Sequence, residues 1–231
     1  MLVVVGNLAT SYIRTYHTVA TTQTTTAPIE VINLEAVILE TKGKMIQANV
    51  YIRITDGIVT TIGSGVIFDS DNQYYYALTN EHVINVSDGM TSTVATYDSI
   101  NTDFTVIASS NELDLAIIRF EKAGRLIITP LSFRDEIVSE DEFVMAIGNP
   151  IGSIGSVTIG TVLGQTIISS NLDQQHEAIQ HSATLGNGSS GGALVDMYGY
   201  IIGLNSWGIG GNYYAIPSSI IQSFIDSQNQ T

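Results

Sequence analysis

From residue 30 onward the apolar residues of this chain come in short runs broken by turn formers, a spacing that few folds can accommodate. The runs at residues 31–39, 48–54, 58–62, 66–68 and 74–79 are rich in Val, Ile, Tyr and Thr, which pack well on a pleated surface. Runs at 93–97, 104–108 and 115–120 continue the series. After a charged connection at 135–142 it resumes at 143–147, 157–165, 178–181, 193–195, 201–206 and 213–216. Nowhere do strands alternate with long helices, so a parallel α/β sheet is excluded. The pattern predicts an all-β sandwich or barrel. One helix is expected at the end, where Ser218 or Ser219 can cap and Ile220, Ile221, Phe224 and Ile225 share a face. Residues 81–86 read as a helical turn. The connection near residue 135 splits the strands into two similar halves, which predicts two packed barrels with a cleft between them.

A chain of 231 residues, 44% hydrophobic and 13% charged, can bury a large core as one β domain or two subdomains. Its 8 Lys+Arg against 22 Asp+Glu give a formal charge of −14, which argues against nucleic acid as a partner. Arg134 is the last basic residue, and from Asp135 to Asp226 only acids follow. That half is a solvated acidic surface or an attractor of cationic substrates and partners. Without cysteine there is no disulfide, thiolate chemistry or Cys-ligated zinc. The apolar run at residues 2–5 is too short for a membrane span and incomplete as a signal peptide. It reads as a trimmed anchor or a strand. The threonine-rich stretch at 21–26, ahead of Pro28, reads as a linker or tether. An extracytoplasmic location, secreted or membrane-tethered, is the expectation.

Gly188-Ser189-Ser190-Gly191-Gly192 surrounds a serine with bare backbone. A nucleophilic serine needs a tight turn with N–H groups aimed at a developing oxyanion, and glycines permit both. Alone, such a run reads first as a flexible loop. The four histidines are His17, His82, His176 and His181. His82, in Thr79-Asn80-Glu81-His82-Val83, stands where an apolar strand opens into a turn, a rigid mount for a catalytic ring or a structural one. Asp114 precedes Leu115-Ala116-Ile117-Ile118, so its carboxylate enters a largely buried strand. Burial there calls for hydrogen bonds, and an imidazole N–H is one partner; a turn cap is the other reading.

His82, Asp114 and Ser190 fall in the order His…Asp…Ser. With Gly63-Ser64-Gly65-Val66-Ile67, Ala146-Ile147-Gly148-Asn149-Pro150-Ile151-Gly152 and Ala215-Ile216-Pro217-Ser218, the chain resembles the chymotrypsin-like serine peptidases, above all their bacterial HtrA/Deg-type branch. The likeness covers about residues 45–227. It implies two six-stranded antiparallel β-barrels with a C-terminal helix: residues 45–134 for the first, 135–231 for the second plus helix, and 1–44 as an N-terminal segment. That segment is a tether, trimmed anchor or oligomerisation arm, through which related proteins form trimers. The resemblance implies His82 as base and acid, Asp114 as its orienting partner, Ser190 as nucleophile, and the Gly188 and Ser190 N–H groups as oxyanion hole. It implies no metal and no organic cofactor. Two departures stand out. Ser189 replaces the Asn usual in this branch and cannot form the ion pair of the digestive trypsins. The chain ends at Thr231 soon after its expected helix, so no PDZ domain is expected.

Ser206-Trp207-Gly208 resembles the edge on which this family pairs the substrate backbone. Thr184 falls where the floor of the specificity pocket is expected, with Gly211 and Tyr213 as walls. An uncharged floor speaks against Arg or Lys at the cleavage site and for small or medium apolar side chains. His181 leads into this loop, as a structural residue or a contact for an acidic substrate group. Protein or peptide substrates are the expected partners. The alternatives are a catalytically silent or resting binding module on the same fold, and a structural surface protein.

Overall fold

The computed structural model describes residues 33–86, 89–122, 124, 127–169 and 175–228. The apolar run at 2–5, His17, the threonine-rich stretch and the expected arm up to residue 32 lie outside the described residues. In the first half the Val/Ile/Tyr/Thr runs form β1 (Asn49–Thr55), β2 (Thr60–Ser70), β3 (Tyr74–Thr79), β4 (Thr91–Ala95), β5 (Asn101–Asp103), β6 (Thr105–Ser110) and β7 (Leu115–Glu121). They make one antiparallel sheet in the order β5-β4-β1-β2-β3-β7-β6. The second half forms β8 (Phe143–Gly148), β9 (Ser156–Ser169), β10 (Gln175–His181), β11 (Ala193–Asp196), β12 (Ile201–Ile209) and β13 (Asn212–Pro217). These close into the expected six-stranded barrel, in the order β10-β13-β12-β11-β8-β9.

Three details depart from the sequence reading. The first half has a seventh strand, β5, whose polar Asn-Thr-Asp carries no apolar signal; β5 and β6 share no ladder, so this sheet curls as a half-barrel. The runs at 58–62 and 66–68 belong to a single strand, β2, because its pairing with β1 continues through Gly63-Ser64-Gly65. Of the run at 31–39, the described residues 34–39 are helix and not strand. Leu34–Ala48 is a helix, α1, which crosses the expected boundary at residues 44 and 45. Asn33 caps it by accepting from the Ala36 N–H, and Thr41, Met45 and Ala48 bury one narrow seam. The Thr41 hydroxyl donates to the Met197 carbonyl at 2.9 Å, tying α1 to the second half of the chain. The expected turn and final helix are α2 (Glu81–Ile84) and α3 (Ser218–Gln228).

The core explains why several strands of the second half are apolar on both faces. Val144 and Ala146 of β8, Val162, Ile179, Leu194, Ile202 and Ala215 form one cluster, with members from all six strands of the closed barrel. Their sequence neighbours Met145, Ile147, Ala193, Val195 and Ile201 belong to a second cluster shared with Val50, Ile52, Val66 and Leu78 of the first half. Side chains alternate along a strand, so one strand fills the barrel and also cements the two halves.

Candidate active site

His82, Asp114 and Ser190 come from three separate elements. β3 ends at Thr79, and the one-turn α2 that follows carries His82. Asp114 stands just ahead of β7 with φ +53°, a left-handed conformation that Asp tolerates better than most residues. Asn80, fully buried, holds that turn by donating from Nδ2 to the Asp114 carbonyl at 2.9 Å. The Asp114 carboxylate meets His82 Nδ1 at 2.9 and 3.0 Å and also accepts the His82 backbone N–H at 3.0 Å. The Ser206 hydroxyl donates to its Oδ2 at 2.6 Å. Burial works against the carboxylate's charge, but the His82 ring and the Ser206 and His82 N–H hydrogen bonds outweigh it and hold Asp114 below the ordinary carboxylate pKa. The Asp114 side chain is 11% exposed, whereas that of His82 is 48% exposed, so the ring has one shielded and one open side.

Ser190 sits on the glycine turn before β11. Its Oγ donates to the Ser206 carbonyl at 3.3 Å, and among the described residues it makes no hydrogen bond to His82. Neither the Gly188 nor the Ser190 backbone N–H has an acceptor among the described residues. Their peptide planes are tied from behind. The Asn187 carbonyl accepts from Ile151 N at 2.9 Å, and the Ser189 carbonyl accepts from Gly192 N at 3.0 Å. In a planar trans peptide the N–H opposes the C=O, so both free donors point away from these ties. Ser189 is buried against Gly148, with its hydroxyl accepting the Gly186 N–H.

β11 pairs with β12 only over Ile201–Leu204, while β13 continues along the other edge as far as Ile209. The β12 edge at Trp207 and Gly208 is thus open on the Ser190 side. Gly208 is registered opposite Tyr213, whose ring covers it. The Trp207 and His176 rings meet at a 41° tilt with centroids 5.1 Å apart. Thr184 is exposed, its carbonyl held by Thr158 Oγ1. Gly211 stands at the tip of the β12–β13 hairpin with open space around it, whereas Tyr213 and Gly208 lie within the paired strands. His181 is fully buried beside Tyr213 with neither ring nitrogen hydrogen-bonded, so no substrate group reaches it in this conformation.

Sequence reasoning assigned no role to Ser64, Asn80 or Asn149, although all three lie in the motifs it singled out. Ser206 was expected at the substrate edge; that its hydroxyl also reaches Asp114 was not read from the sequence. The only available signal was polarity: Asn80 and Asn149 occur beside apolar strand residues, where an amide needs partners.

A family model described as trypsin-like peptidase domain matches residues 63–204, which include all of these motifs up to β12. A Brucella suis protein named "Probable periplasmic serine endoprotease DegP-like" is 34% identical over 172 residues, covering 71% of this chain and 32% of its own length. The serine endoprotease DegS of Escherichia coli is 33% identical over 148 residues, 64% of this chain and 40% of that protein. The chain therefore spans well under half the length of these curated relatives. The solved structure of the HtrA-type protease AlgW with tripeptide matches with a TM-score of 0.71 at 28% identity, covering 82% of this chain and 62% of that one. With most of its length matched by the family model and both fold halves shared with HtrA-type proteases, this chain belongs to the trypsin-like peptidase domain family.

Proposed function

We propose that this chain is a serine endopeptidase that hydrolyses peptide bonds in proteins through His82, Asp114 and Ser190. The contact of the Asp114 carboxylate with His82 Nδ1, at 2.9 and 3.0 Å, carries the reading. It keeps the proton on Nδ1 and leaves the Nε2 lone pair for the Ser190 hydroxyl. Ser190 Oγ attacks the scissile carbonyl while its proton passes to Nε2. The resulting oxyanion accepts the Gly188 and Ser190 N–H groups, each worth about 3–4 kcal/mol in comparable sites. The imidazolium then protonates the leaving amine as the C–N bond breaks, giving an acyl-enzyme. Water, deprotonated by His82, releases the acid and restores Ser190.

The substrate backbone adds to the open β12 edge at Ser206, Trp207 and Gly208. The side chain preceding the cleaved bond enters between Tyr213, Gly208 and the uncharged Thr184, which favours small or medium apolar groups. Relatives named as periplasmic support an extracytoplasmic site of action. Among the described residues no helix is long and apolar enough to cross a membrane. Assembly through the N-terminal segment, residues 1–44, belongs to the same proposal and is tested by light scattering with and without it.

A fluorophosphonate probe should label wild-type protein at Ser190 and leave Ser190→Ala unlabelled, and wild-type protein should cleave casein. Folded protein that neither labels nor cleaves, with or without added peptide, overturns the proposal in favour of a silent binding module. The Ser190 Oγ bond to the Ser206 carbonyl favours one second reading, a resting enzyme. Low activity that rises when peptide is added is its mark.

A further inference from the structure

Behind the Ser190 turn runs a buried polar relay that joins three distant parts of the chain. Ser64 of β2 is fully buried, as are Asn149, just past β8, and Asn49, at the end of α1. Asn49 Nδ2 donates to Asn149 Oδ1 at 2.8 Å. Asn149 in turn donates to Ser64 Oγ twice, from its backbone N at 2.9 Å and from Nδ2 at 3.0 Å. A serine hydroxyl has two acceptor lone pairs and a single hydrogen. Both lone pairs are taken by Asn149, so the hydrogen is committed to its one remaining neighbour, the Gly188 carbonyl at 2.6 Å. The Ser64 backbone N–H donates to the Ser190 carbonyl at 2.8 Å. One residue therefore grips the turn on both sides of the Ser189 peptide.

Asn149 controls the turn by a second route. Its Oδ1 also accepts the Gly155 N–H at 2.9 Å, and its Nδ2 donates to the Val50 carbonyl at 2.8 Å. These bonds fix both ends of the 149–155 loop, whose Ile151 N–H holds the Asn187 carbonyl. The side chain of Asn149 has no unmade hydrogen bond with which to relax. Losing one partner in a buried network leaves others unsatisfied, so the arrangement is held as a unit.

We propose that Ser64 is a positioning residue for the oxyanion-binding turn, oriented by Asn149 and, through it, by Asn49. Ser64 touches no reacting atom. It fixes the Gly188 and Ser190 carbonyls so that the Gly188 and Ser190 N–H groups converge on one point. The proposal rests on the peptidase reading above for its catalytic consequence, and on the hydrogen-bond geometry for its structural one.

Ser64→Ala removes the hydroxyl and keeps the strand. Its kcat should fall about ten- to hundred-fold, less than outright loss of an oxyanion donor, with KM within about three-fold. The pH midpoint of kcat/KM should not move, because His82 and Asp114 are untouched. Affinity for a peptide trifluoromethyl ketone, which forms an oxyanion on Ser190, should fall in parallel with kcat, and affinity for the matching peptide alcohol should hold. Ser64→Cys, a weaker and longer donor, should fall between the two and serves if Ser64→Ala does not fold. Unchanged kcat, a shifted pH midpoint, or equal weakening of both inhibitors overturns the positioning role. If wild-type protein is not labelled by fluorophosphonate, the peptidase reading fails by itself. Amide hydrogen exchange over residues 186–192 then decides the relay: at least about ten-fold faster exchange in the variant supports it, and unchanged exchange overturns it.

Discussion

His82 is bound twice by one side chain, since both its Nδ1 and its own backbone N–H reach the Asp114 carboxylate. Asp114→Asn keeps the size of that group but presents an amide. With Nδ2 facing Nδ1 it favours the wrong tautomer, and peptidase kcat should drop about 10⁴-fold while KM and the circular dichroism spectrum hold. Ser206→Ala removes one donor to the carboxylate, so the Asp114 carboxyl should titrate closer to its ordinary value, a rise that NMR titration of that carboxyl will read. His181 predicts a different pH effect. Burial pushes its pKa down from 6.5 to about 4, against a weaker opposing pull from the Ala183 backbone. The unfolded chain binds a proton near pH 6.5 and the folded one only near 4, so stability is complete above that range and falls as pH drops through it. The loss should total roughly 3 kcal/mol and be absent from His181→Leu, as urea unfolding at pH 7, 5.5 and 4 will read. The sequence allowed His181 a structural or a substrate-contacting role. Its burial, which no local pattern encodes, decides for the structural one.

At the level of elements, the glycine turn is as much a packing joint as a chemical one. A Cβ on Gly192 would overlap the Ile147 carbonyl, and one on Gly191 would strike the Ser64 carbonyl and Thr79. Backbone cannot step aside there, because Gly192 N donates to the Ser189 carbonyl and the Gly192 carbonyl accepts the Asn205 N–H of β12. Gly192→Ala should therefore cost more than about 3 kcal/mol and lower the melting temperature even where no chemistry is measured. Most strands were legible because alternating or continuous apolar runs report burial directly. α1 was not. Val37, Ile38 and Leu39 look strand-like, only Thr41, Met45 and Ala48 are buried on it, and Gly43 lies in its middle, so the helical period is faint. What makes it a helix is the Asn33 cap and the docking through Thr41 and Met45, and the latter is a tertiary contact. β5 was missed for the opposite reason: its three polar residues pair only because β4 offers an edge.

Across the whole molecule, the last basic residue of the sequence is placed where the two halves join. Arg134 binds Glu142 through two nitrogens at 2.7 and 3.0 Å, lies 3.8 Å from Asp196, and its carbonyl accepts the Ser218 hydroxyl at the start of α3. The Glu142 hydrogen bonds raise the arginine's pKa, and the guanidinium holds Glu142 below the usual carboxylate value. Arg134→Gln strands Glu142 and Asp196 together and should cost about 1.5–3 kcal/mol in chemical denaturation. The net charge of −14 adds a general repulsion, so added salt should raise the variant's melting temperature more than the wild type's. The sequence by itself determined the all-β class and singled out His82, Asp114 and Ser190 as the residues of the proposed mechanism, because strand burial and motif spacing are written in local order. Only the tertiary structure decided that Ser64 and Asn149, 85 residues apart, meet behind a turn that Ser64 reaches across 124 residues. It also decided that the first sheet stays open while the second closes. A hydrogen bond between buried groups depends on which strands become neighbours, and no run of adjacent residues carries that information.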